Sequence, residues 1–235
     1  MKSLVIAGAV SLAALLSAPE PLTAGEALSV QLILDNGGGL LNPGEAEPVI
    51  DQMFNAVLQA ARNPKFKYGN VNVITTSTAD STKVPRTVWS GRLVDIKRSY
   101  PDIIAAARHV PNGCTDLVRA FNEADFNIRK SSASEVWVIA FSSFIHMGRP
   151  CTDTGIDLPQ EVPPQINLGG MVTDDRVKRI VLLNAEPDQA RKWFEVMEAA
   201  GAAIRAREGS FQYAVETEDT TYRWLSGADL HKELR

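Results

Sequence analysis

The sequence predicts an α/β protein with a Rossmann-like, doubly wound, mostly parallel six-stranded sheet and helices on both faces. Three observations lead there. Strand-like and helix-like segments alternate along almost the whole chain after its first two dozen residues. Leu28 to Leu34 and Glu135 to Phe141 are near-continuous apolar runs, as strands buried on both faces require. The first of these runs straight into Asp35-Asn36-Gly37-Gly38-Gly39. A carboxylate and glycines at the carboxyl end of a buried strand mark the place where open α/β sheets put their ligand sites.

The elements follow in order. After the strand Leu28–Leu34, Val49, Met53, Val57, Leu58 and Ala61 are spaced for a helix over Pro48 to Arg62. Gly69 to Thr76 is β-branched and predicts a second strand, and Arg86 to Ser90 a short third one that would form an antiparallel edge. Leu93 to His109 has helical composition interrupted at Pro101, and Pro111-Asn112-Gly113 makes a turn. Thr115-Asp116 caps a helix carrying Leu117, Phe121 and Ala124 on one face. Glu135 to Phe141 is the strongest strand. A long irregular segment follows, from Ser142 to about Thr173, with Pro150, Pro159, Pro163 and Pro164. Loops of that length are more often functional or packing features than plain connections. Arg179 to Asn184 is a further strand. Pro187 to Ala200 is a helix whose buried face holds Ala190, Trp193, Phe194 and Met197, closed by Gly201. Ser210 to Val215 is the last strand, and Thr220 to Leu234 predicts a terminal helix carrying Trp224 on a partner-facing side.

The ends and composition bound the function. Lys2 followed by the apolar run to Leu16 reads as a secretory signal peptide, with cleavage expected after Ala24. That leaves 25–235 as one domain in the periplasm or outside the cell, with no further membrane span. A net charge of −4 and a pI near 5.5 argue against a nucleic-acid footprint. The cysteines, Cys114 and Cys151, are an even pair in an exported chain, so a disulfide between them is expected.

Other chemistries fit less well. An exported hydrolase would use Ser143 with Asp35 and His146, but no Gly-x-Ser-x-Gly elbow surrounds Ser143. The glycine run before a helix suits a phosphate, but Gly44 arrives without the lysine of a phosphate-binding loop. His109 and His231 read as packing or surface residues, Trp89, Trp137 and Trp193 as core, and Glu216 to Asp219 as a solvated turn.

This layout resembles the von Willebrand factor A-type domain. The likeness rests on three places: Asp35-Asn36-Gly37-Gly38-Gly39 for Asp-x-Ser-x-Ser, Gly113-Cys114-Thr115-Asp116-Leu117 for a threonine in a glycine-rich turn, and Phe141-Ser142-Ser143 for a strand ending in Asp. The resemblance implies that the three loops converge on a metal-ion-dependent adhesion site. Asp35 and Thr115 are the metal ligands it retains, for Mg²⁺ or Mn²⁺, with Ser143, Asp116 or Asp153 as replacements for lost oxygens. Because glycine has no ligand atom, the site is expected to be degenerate and the cation weakened or absent, with no cofactor. A metal-dependent adhesion domain of the ordinary type is the alternative. The implied function is non-enzymatic protein–protein recognition by Asp35, Asn36, Gly37, Gly39, Thr115, Asp116, Ser142 and Ser143, extended by the loop from Cys151 to Gln165. Under this fold a Cys114–Cys151 bridge would clasp that loop to the same edge.

Overall fold

The computed structural model describes residues 27–37, 43–60, 62–77, 86–110, 113–147, 156–205 and 211–225. The expected signal segment and its cleavage site, Gly38, Gly39, Cys151, Asp153 and His231 lie outside them. Strand β1 (Leu28–Leu34) leads through helix α1 (Pro43–Ala60) to β2 (Asn70–Thr75) and β3 (Thr87–Arg92). A 3₁₀ turn (Leu93–Asp95), α2 (Ile96–Ala106) and α3 (Leu117–Lys130) precede β4 (Glu135–Phe141). Then come α4 (Leu168–Thr173), β5 (Val177–Ala185), α5 (Pro187–Arg205), β6 (Gln212–Thr217) and α6 (Glu218–Leu225).

The strands form one six-stranded sheet in the order β3-β2-β1-β4-β5-β6. Every pairing is parallel except β2 with β3, so the short edge strand is antiparallel, as its sequence suggests. All seven residues of β1 are buried, although Ser29 and Gln31 alternate with Leu28, Val30 and Leu32; Gln31 Nε2 donates to Ser29 Oγ at 3.0 Å and Gln31 Oε1 accepts from Asn72 Nδ2 at 3.2 Å. One face of the sheet packs Met53, Phe54, Ile96 and Ile103 of α1 and α2 over Leu32 and Val73. The other packs Phe121, Ala124 and Trp193 of α3 and α5 over Val138 and Leu182. The sheet thus separates two apolar layers. Among the described residues no helix is long and apolar enough to cross a membrane.

Several local expectations are corrected. Helix α1 begins at Pro43 and takes Pro48 inside it, and α2 takes in Pro101. Both prolines are exposed, and each is the sixth residue of its helix, where it leaves one carbonyl of the preceding turn without an amide donor. The segment after β4 is not wholly irregular, because Leu168 to Thr173 forms α4, capped by the Asn167 side chain on Gly170 N at 3.0 Å. Phe194 is 49% exposed, whereas Trp224, expected on an outer face, is 4% exposed. Helix α5 is rotated so that Ala190, Trp193 and Met197 face the sheet. Trp224 turns inward over Ala56, Val57 and Trp137. Glu216 and Thr217 close β6, and Glu218 and Asp219 open α6.

Candidate functional site

The in-register parallel strands build the site. Leu34 of β1 stands level with Thr75 of β2 and Phe141 of β4. The residues one step further along are Thr76, Asp35 and Ser142, so three polar side chains emerge side by side at the carboxyl edge. The backbone ladder continues through them: Thr76 N donates to Leu34 O at 3.1 Å, and Asp35 N to Phe141 O at 2.9 Å.

Asp35 is the centre of the cluster and is buried. Its Oδ1 accepts from Thr76 Oγ1 at 2.6 Å and from Gly37 N at 3.1 Å. Its Oδ2 accepts from Ser142 Oγ at 2.7 Å, while Thr115 Oγ1 lies 3.1 Å from both oxygens. Burial pushes the Asp35 carboxyl above its ordinary range, and the bonds from Thr76, Ser142, Gly37 and Thr115 pull it partly back.

The surrounding loops are tied to the same point. Asn36 Oδ1 accepts from Ser77 N at 2.9 Å, and its Nδ2 donates to Arg108 O at 3.1 Å. Ser77 Oγ donates to Cys114 O. Asp116 caps α3 by accepting from Arg119 N at 3.1 Å, and its own amide donates to Thr76 O at 3.3 Å. Met147 N donates to Thr115 O at 2.9 Å. Cys114 is disulfide-bonded, and the chain has one other cysteine, Cys151.

Part of the long segment after β4 also belongs here. His146 N donates to Gln160 Oε1 at 2.9 Å, and Gln160 Nε2 returns a bond to His146 O at 3.3 Å. Buried Gln189 then grips the Gln160 backbone at both its N–H (2.8 Å) and its carbonyl (2.9 Å). Phe144 anchors the turn with φ of 61°, a strained value for a bulky residue that its full burial against Trp193 offsets. Burial lowers the His146 pKa, with Asp116 opposing.

Of the residues singled out from the sequence, Asp35, Asn36, Gly37, Thr115, Asp116 and Ser142 meet at one rim. Ser143 stands apart from Asp35: its hydroxyl faces Ile145 N at 3.4 Å, and its carbonyl accepts from Glu186 N. The set of Asp35, Ser143 and His146 is therefore not assembled; Ser142 is the serine that reaches Asp35. Thr76, Ser77, Gln160 and Gln189 are the members that sequence reasoning missed. The run Thr75-Thr76-Ser77, three hydroxyls closing a strand next to β1, was the available signal.

No family model matches the chain, and no curated protein does. Solved structures do. A point mutant of the PilB minor pilin from Streptococcus sanguinis superposes with a TM-score of 0.53 at 10% identity, over 92% of this chain and 63% of that one. The pilus adhesin SpaC from Lactobacillus rhamnosus GG, in an open conformation, superposes with a TM-score of 0.53 at 14% identity, over 88% of this chain and 30% of that one. The chain thus spans less than two thirds of either protein. At such identities the likeness shows the fold alone, and that fold is shared with a minor pilin and a pilus adhesin.

These matches correct the resemblance drawn from the sequence. The structures that the chain superposes on are pilus proteins rather than von Willebrand factor A-type domains, and the degenerate metal-ion-dependent adhesion site falls with that assignment. The physical reason is visible at Gly37. A Cβ there would run into Ser77 Oγ and lie 2.9 Å from Gly113 O, so the glycine is not a serine position that lost its hydroxyl. A hard cation needs several oxygens turned towards it. Here the hydroxyls of Thr76, Thr115 and Ser142 turn inward onto Asp35.

Proposed function

We propose that the protein is an exported, non-enzymatic recognition domain that binds a protein partner with the carboxyl edge of its sheet. The observation that carries this reading is the bracing of that edge. Four separate segments, ending β1, β2 and β4 and opening α3, are joined through Asp35 and Asn36. Pre-ordered surfaces bind with less entropic cost than mobile ones. The edge also presents apolar side chains, with Ile156 and Leu158 at 37% and 42% exposure. The fold shared with a minor pilin and a pilus adhesin supports a role outside the cytoplasm, as does the apolar amino-terminal stretch.

Photo-crosslinking tests the reading. A photoreactive amino acid placed at Ser143 or Leu158 should capture one discrete protein in the cell envelope. The same probe at Ser134, at the opposite edge, should not. Capture from Ser134 alone, or covalent labelling of Ser143 by a serine-hydrolase probe, would overturn it.

A further inference from the structure

The amino edge of the sheet carries a charge opposite to that of the molecule as a whole. The chain is acidic, yet the turns entering the parallel strands are rich in bases. Arg62, Lys65 and Lys67 precede β2, Arg129 and Lys130 close α3 ahead of β4, and Lys178 opens β5. The pairing places these turns together: Lys65 lies 3.5 Å from Glu135 at the start of β4, and Arg176, just before β5, donates to Ser131 O and Ile128 O at the end of α3. Arg92, at the end of antiparallel β3, stands level with Asn70 and joins the same edge.

Half of these bases are paired with acids at the same edge. Asp95, Asp125, Glu135 and Asp174 pair with Arg92 and Arg98, Arg129, Lys65 and Arg176. Arg62, Lys67, Lys130 and Lys178 make no ion pair among the described residues. At the other end Asp157, Asp188, Glu218 and Asp219 are exposed among the bases Arg108, Arg191 and Arg223, and Glu161 pairs with Lys192 at 2.7 Å. Even with Asp175 exposed before β5, bases outnumber acids at the amino edge.

One further observation points to what meets the basic edge. Tyr68, in the turn with Lys65 and Lys67, is 61% exposed, and Lys67 Nζ lies over its ring at 5.3 Å. A tyrosine among lysines suits the water–lipid boundary, where the ring enters the headgroup layer and the cations meet phosphates.

We infer that the amino edge of the sheet is a docking surface for anionic phospholipid, holding the carboxyl edge away from the bilayer. The inference does not rest on the partner proposed for the opposite edge.

Co-sedimentation of the full chain with phosphatidylcholine vesicles, with and without phosphatidylglycerol, is the test. Binding should be stronger with phosphatidylglycerol and should weaken as salt is raised. Arg62→Glu with Lys67→Glu and Lys130→Glu, all exposed and in no ion pair among the described residues, should lower that binding at least about tenfold with an unchanged melting temperature. Asp157→Asn with Glu161→Gln, at the opposite end, should leave it unaltered. Equal binding to both vesicles, or a triple variant that binds as the parent does, would overturn the inference. So would charge-dependent binding to a soluble polyanion such as DNA without binding to vesicles. None of these results bears on crosslinking at the carboxyl edge.

Discussion

Ser142 donates to Oδ2 of Asp35 at 2.7 Å, joining two residues 107 positions apart that each stand one step past the end of a strand. The bond exists because β1 and β4 are parallel and in register up to Leu34 and Phe141. It makes Ser142 part of a buried cluster rather than an exposed nucleophile.

Titration of Asp35 should be legible in the stability profile. Its folded pKa is raised above the ordinary 3.8, so the folded chain holds a proton that the unfolded chain releases. Stability from this group is then fully present below 3.8 and declines as pH rises through the raised value. Asp35→Asn should flatten that decline in denaturant unfolding followed across the acid range; an unchanged slope would show that another group causes it.

Gly37→Ser should destabilise rather than restore anything. The new side chain meets Ser77 Oγ and Gly113 O, and overpacking of this kind costs about 1–3 kcal/mol. Chemical denaturation of the variant measures it directly.

Gln189→Ala removes both partners of the Gln160 backbone. Leaving such groups unpaired costs about 1–3 kcal/mol when they are buried. Because those bonds join α5 to the loop after β4, hydrogen exchange should rise at His146 and Gln160 while the β1 and β4 amides stay protected.

Thiol chemistry probes the bond at Cys114. A maleimide should label neither cysteine in the native chain, and both after reduction, if Cys151 is the partner. Closing a loop of roughly 36 residues contributes about 3–4 kcal/mol on a chain-entropy account. Reduction should therefore lower the melting temperature without dismantling the sheet.

Some of this was legible in one dimension. The buried strands could be read because parallel strands covered on both faces leave mostly apolar runs, as in Leu28–Leu34 and Glu135–Phe141. The cap at Asp116 could be read because capping depends on neighbours three residues away. Asp35 stood out as a charge closing an apolar strand. Phe194 and Trp224 were misplaced because helical spacing defines a stripe but not which side of a broad stripe meets the sheet.

By itself, then, the order of residues determined the alternation of strands and helices, the antiparallel edge, and a polar residue ending the first strand. Register and strand order were decided only on folding. They set Thr76 and Ser142 beside Asp35, put Ser77 where a side chain on Gly37 would go, and gathered separated bases at one end of the sheet. Contacts between segments far apart in sequence depend on how each strand aligns with its neighbour. A shift of one residue would have carried a different side chain to each of those places.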